Sequence, residues 1–193
     1  MNLYSYPIEK ANESKGKEDI LQKVQKSKNS PAKELLDISL DAEEYTVTFV
    51  ANGQTVTRKA LFDWSKEDNE RIRYYSGTAI YKTTFPWKYK EQKDRQVYLH
   101  LGTVYNLATV RVNGIDCGTV WTAPYRADIT AALKKETNEL EIEVTNTWAN
   151  ALKGTDEGKA PFEGIWTNAK YRKQENTLLP GGLLGPLYLE QSN

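Results

Sequence analysis

Residues 96–144 read QVYLHLGTVYNLATVRVNGIDCGTVWTAPYRADITAALKKETNELEIEV. The dominant period in this stretch is two. QVYLHL places Val97, Leu99 and Leu101 on one face. ELEIEV places Leu140, Ile142 and Val144 inward and Glu139, Glu141 and Glu143 outward, the pattern of a strand with one buried and one wet face. ATVRV (108–112) runs into Asn113-Gly114 and continues as IDCGTVW. Asn-Gly accepts positive φ at both central positions, as a type I′ turn requires, so this segment predicts a hairpin. ADITAALKK (127–135) predicts a single helical turn with Asp128 as its N-cap.

Working outward, EYTVTFVANGQTVTRKAL predicts a second hairpin, with strands at 45–50 and 54–60 around Asn52-Gly53. FDWSKEDNERIRYY (62–75) carries charges without alternation and predicts a loop with a short helix capped by Ser65, with Asp68 three residues on. GTAIYKTTF (77–85) alternates again. LLPGGLLGPLYLE predicts a Gly/Pro-punctuated loop and a last strand at 186–190. Many short strands and little helix define an all-β antiparallel sandwich. The connections at 61–74 and 145–178 are too long for a meander, which favours a jelly roll. Residues 9–37 differ: they are rich in Lys, Glu, Ser and Asn and hold no aromatic. Ile20, Leu21 and Val24 allow a weak amphipathic helix over 17–28, and Pro31 can open a further helical turn. The expected organisation is an N-terminal arm or linker at 1–39 and a sandwich domain at 40–193. No fixed-period repeat is present.

Composition excludes several function classes. The chain has 193 residues, 26 Lys plus Arg and 26 Asp plus Glu, hence no net charge. Nucleic acid and anionic membranes select for a basic excess, so neither is expected as the main partner. One cysteine, Cys117, forms neither an internal disulfide nor a thiolate metal cluster, and one histidine, His100, leaves no His-rich metal site. No run of 18 apolar residues occurs, and residues 1–15 lack the basic start and apolar core of a signal peptide. Five Trp and twelve Tyr against four Phe weight the aromatics toward rings with polar tips, which suit all-β cores and sugar-stacking surfaces alike.

The 96–144 stretch resembles the sugar-binding β-sandwich domain of family 2 glycoside hydrolases and its galactose-binding-like relatives. The residues that carry the likeness are Leu99 to Val104, Val110 to Gly114, Gly118, Pro124-Tyr125 ahead of Asp128-Ile129-Thr130, and Asn138-x-Leu140. Residues 62–85, VTNTWANAL (144–152) and LLPGGLLGPL (178–187) extend it and look like the C-terminal domain of bacterial α-L-rhamnosidases of glycoside hydrolase family 106. The resemblance covers most of 43–190. It implies a galactose-binding-like jelly roll whose hydrolase keeps its catalytic machinery in other domains. It also implies a rhamnose-containing glycan as the natural context, and a periplasmic or secreted location if the chain is part of such a hydrolase. Domains of this fold often carry a structural calcium, but no loop here shows a metal-ligand signature, so no cofactor is expected.

Candidate binding residues lie in loops. Trp121, Tyr125 and Arg126 follow the Asn113-Gly114 hairpin, Trp148 and Asn150 follow the Glu-rich strand, and Trp166 and Asn168 lie in the long loop that also holds Asp156, Glu157 and Glu163. Should these loops meet at one end of the sandwich, they would form a shallow aromatic platform rimmed by amides and carboxylates, groups suited to sugar hydroxyls. Large aromatics are mostly buried, so for Trp121 and Trp148 a role as core plugs weighs more; Trp166 has the most polar surroundings and the best prospect of exposure. Glycoside hydrolysis needs two carboxylates about 5–9.5 Å apart, and no spacing among Asp116, Asp128, Glu157 and Glu163 pairs any two, so catalysis by this chain alone is not expected. Its expected partners are an oligo- or polysaccharide and a catalytic domain in the same or a longer chain. The alternatives are a spacer with no ligand of its own, or a domain lending loop residues to a neighbouring active site.

Overall fold

A computed structural model of the chain describes residues 35–40, 42–88, 95–168 and 177–192. The expected helix over 17–28 and the start of the expected turn after Pro31 lie outside the described residues.

Among the described residues twelve strands form the body of the domain. They are β1 (Leu35–Ser39), β2 (Tyr45–Phe49), β3 (Gln54–Arg58), β4 (Thr78–Trp87), β5 (Gln96–His100), β6 (Thr103–Tyr105), β7 (Leu107–Val112), β8 (Ile115–Val120), β9 (Arg126–Asp128), β10 (Glu136–Thr145), β11 (Gly182–Gly185) and β12 (Tyr188–Ser192). One sheet has the order β1-β12-β5-β9, the other β3-β2-β4-β10-β7-β8, and β11 pairs with β6. Every strand pair is antiparallel. Both Asn-Gly hairpins form, but only one has the expected turn: Val112 faces Ile115 across Asn113-Gly114, both at positive φ, whereas Phe49 faces Gln54 across a four-residue loop, 50–53, in which Gly53 alone takes positive φ.

A single apolar cluster fills the space between the two larger sheets. Val97, Leu99 and Leu189 enter it from one, and Val47, Tyr81, Ile142 and Val144 from the other. At its hub Trp64 donates from Nε1 to the Tyr81 hydroxyl at 2.7 Å, and the Leu183 amide donates to the same oxygen at 3.2 Å. Burial pushes the Tyr81 phenol well up from its usual value, so it stays neutral and serves as an acceptor.

Several sequence expectations are corrected. Leu35–Ser39 is a strand that pairs with β12, so neither arm nor helical turn describes 35–39. The turn after residue 62 is a 3-10 segment, Trp64–Lys66, capped by Asp63 rather than Ser65; Asn69 caps the following short helix α1 (Glu70–Arg73). Arg126–Asp128 is a strand, followed by a 3-10 turn at Thr130–Ala132 in which Ile129 takes the N-cap position. The Asp128 carboxylate still accepts from the Thr130 amide at 3.0 Å. The long connection after β10 opens with a helix, α2 (Ala149–Asp156).

Candidate functional site

Strand register decides which loops share an end. Val144 faces Ala108, and Ala108 faces Val120, so Thr145, Leu107 and Trp121 leave the six-stranded sheet side by side. The Val50 amide donates to the Thr78 carbonyl at 3.0 Å, which puts the Asn52-Gly53 turn at this end as well. In the other sheet His100 faces both Arg126 and Tyr188. The chain after His100 crosses at once to β6 and β7, and the Asn106 amide donates to the Thr145 carbonyl at 2.9 Å. The loop 121–125 and the whole connection 146–181 therefore start and finish at one end of the sandwich.

Three tryptophans at this end are exposed: Trp121 to 71%, Trp148 to 56% and Trp166 to 80%. The core-plug expectation for Trp121 and Trp148 is thus overturned. Both rings sit beyond the last inward-facing residue of their strand, where the opposite sheet no longer covers them. Trp148 is not loose. Its ring meets Phe162 edge-on at 6.1 Å, Phe162 meets Tyr75 at 6.0 Å, and Tyr75 meets Phe49 at 4.9 Å. A ladder of aromatics thus ties this exposed ring to the core. Among the described residues no ring contact joins Trp121 or Trp166 to the others.

The polar candidates divide. Asn150 is buried, and its amide is taken up by the chain: Nδ2 donates to the Leu179 carbonyl at 2.7 Å, and Oδ1 accepts from the Leu179 amide at 2.9 Å. It clamps the far end of the long connection to the start of α2. Asn146 fastens the near end, donating to the Tyr75 carbonyl and accepting from the Gly77 amide. Tyr125 is half-buried against the core, and its carbonyl accepts from the Leu101 amide at 2.8 Å. Arg126 is exposed but engaged. Its guanidinium lies 4.1 Å from the Tyr98 ring centroid and donates to Glu190 at 3.3 Å. Glu190 also meets the His100 imidazole at 2.8 Å, and that imidazole stacks on Tyr188 at 4.4 Å. Asn168 is exposed beside Trp166.

Of the loop carboxylates, Glu157 is likewise engaged. Glu157 accepts from the Tyr74 hydroxyl at 2.7 Å, a bond that raises the Tyr74 pKa. Among the described residues no three His, Cys, Asp or Glu side chains gather as a metal site would require. Phe162, Leu179 and Glu190 were missing from the sequence-based set. Phe162 and Glu190 act through partners distant in sequence that only the folded chain brings together, while Leu179 had a sequence signal in the Pro-Gly-Gly that follows it.

The architecture is that of an antiparallel sandwich domain with its candidate loops gathered at one pole. The chain belongs to the glycosyl hydrolase 2 galactose-binding domain-like family, whose model matches residues 56–178. It is similar to the rhamnosidase from Novosphingobium sp. PP1Y, with a TM-score of 0.75 and 34% identity, over 84% of this chain and 16% of that one. A protein of Formosa agariphila named "Putative beta-glucuronidase" is 35% identical over 76% of this chain and 15% of its own length. The Ruminococcus gnavus beta-glucuronidase, at 16% identity and a TM-score of 0.55 over 84% of this chain, shares the fold. The chain spans about a sixth of the length of the first two relatives.

Proposed function

We propose that this chain is a non-catalytic accessory domain of a glycoside hydrolase and binds glycan at its aromatic pole. The observation that carries this reading is the exposure of Trp121, Trp148 and Trp166 in loops that leave from one pole. A pyranose offers an apolar C–H face to such rings, while Asn168 and the loop carboxylates Asp156 and Glu163 offer acceptors to hydroxyls. Exposure of all three rings supports binding over a spacer role. Likeness to a rhamnosidase makes L-rhamnose the first sugar to try.

The test is a Trp fluorescence titration with L-rhamnose, galactose and glucuronic acid. A saturable change with Kd of about 1–10 mM is expected, weakened by Trp148→Ala or Trp166→Ala. No change with any of the three overturns the reading. A second reading, in which the pole lends residues to a neighbouring active site, is favoured by the small share of its relatives that the chain spans. It predicts no affinity in isolation and lower turnover when the same tryptophans are replaced within the longer enzyme.

A further inference from the structure

The outward face of the six-stranded sheet carries a groove of about 590 Å³, within the range of ligand clefts. Its floor crosses β2, β4, β10 and β7 through Thr46, Lys82, Thr84, Glu141 and Arg111. Glu43 and Glu44 form one wall, and Glu139 with Gly114 of the β7–β8 turn the other. Four adjacent strands make this about 15 Å across. The groove lies toward the pole opposite the tryptophans: Leu140, which lines it, is five residues along β10 from Thr145, about 17 Å.

Its polar groups are held in place. Lys82 pairs with Glu141 at 3.0 Å, Arg111 with Glu141 at 3.3 Å, and Arg111 also with Glu143. The Thr83 hydroxyl donates to the Glu44 carbonyl at 2.6 Å and fixes that wall. The hydroxyls of Thr46 and Thr84 have no hydrogen-bond partner among the described residues. Among the described residues the lining mixes donors and acceptors, contains no aromatic ring, and includes four carboxylates against two cations. The carboxylate excess opposes a polyanion, and the scarcity of apolar side chains opposes an aromatic or lipid ligand. Vicinal hydroxyls match what remains, because a carboxylate accepts from two neighbouring hydroxyls while Lys and Arg donate to ring and glycosidic oxygens.

We infer that this groove is a second glycan site, taking a neutral oligosaccharide laid across the strands and held by hydrogen bonds without stacking. The carbohydrate class rests on the family; the site itself is independent of the aromatic pole. The test is amide NMR of the whole chain, titrated with β-1,4-galactotetraose, cellotetraose, xylotetraose and mannotetraose to about 10 mM, with trigalacturonic acid and triglucosamine as charged comparators. The expected result is movement of the Thr46, Lys82, Thr84 and Glu139–Glu141 amides with at least one neutral tetraose. This movement should survive Trp148→Ala and Trp166→Ala and should weaken about tenfold in Arg111→Met. Lys82→Met serves as the second variant, and unchanged shifts at the aromatic pole report that each variant is folded. No movement at these residues with any neutral tetraose overturns the inference, as does movement with triglucosamine alone. Loss of the groove shifts in the tryptophan variants would make the two poles one site and also overturn it.

Discussion

Replacing Asn150 separates a structural clamp from a ligand contact. Asn150→Ala removes two hydrogen bonds to the Leu179 backbone, at 2.7 and 2.9 Å. Each has a net worth of about 1 kcal/mol. Leu179 is 47% exposed, so its freed backbone groups regain water in part and no large desolvation cost adds to that sum. Alanine is a better helix former than asparagine by about 0.5 kcal/mol, which offsets some of the loss at this first-turn position of α2. The expected cost is therefore about 1.5–2 kcal/mol, or about 3–8 °C in Tm for a domain of this size. Asn150→Asp keeps the acceptor for the Leu179 amide but sets a carboxylate against the Leu179 carbonyl, so it should cost more than alanine at pH 7 and less as the pH falls. Urea unfolding of the three proteins at 25 °C measures this. Both variants within about 0.5 kcal/mol of the parent would refute the clamp. Lost glycan affinity at unchanged stability would return Asn150 to the binding surface.

Other outcomes follow from the same geometry. Gly102→Ala would set its Cβ 2.2 Å from the Gly185 carbonyl at a φ of +63°, and both neighbours are backbone, so unfolding should become easier by about 3 kcal/mol or more. Gly114→Ala, at a φ of +78° with open space around it, should cost only about 1–2 kcal/mol in the same urea assay; equal costs would refute the close-approach argument. The hydrogen bond from Lys82, aided by Arg111, holds the Glu141 carboxyl below its usual 4.5. Because the folded value is the lower, this contribution is present above about pH 4.5 and is lost as the pH drops through the folded value. Glu141→Gln should therefore flatten the acid limb of the stability curve, and an unchanged limb would count against the pairing. Burial pushes the Cys117 thiol up from 9.0. Its alkylation at pH 8 should be slower than that of an unfolded control and should speed up in urea; matched rates would contradict the burial.

Much of the fold could be read from periodicity because its longest strands have one dry and one wet face. Glu136–Thr145 alternates buried apolar side chains with Glu139, Glu141 and Glu143, and the Asn113-Gly114 turn takes the positive φ at both positions that its residue types favour. Strand β1 escaped notice because LLDIS is short and lacks alternation, and its pairing partner lies at the far end of the sequence. Strands β6 and β9, of three residues each, are too brief for any period to register. Helix α2 was missed because ANALKGTD mixes a glycine and polar residues without a clear apolar stripe. At the candidate site, residue type identified the loops, but exposure and engagement depended on tertiary context. Trp121 and Trp148 stand outside the core because their strands end before them. Asn150 and Arg126, which on composition suit a sugar, are committed to Leu179 and to Glu190 with Tyr98.

Because Leu35 and Ser192 face one another across β1 and β12, a polypeptide can enter and leave this body through one doorway about 5 Å wide. The doorway opens at the pole remote from the three tryptophans, since β5, which pairs with β12, reaches the aromatic pole at His100 rather than at Gln96. A host protein spliced at those two positions would hold the module as a handle holds a tool, with the aromatic pole pointing outward. Two short tethers there would leave its orientation adjustable without stretching any strand, so the module is suited to insertion into a surface loop as well as to attachment in tandem.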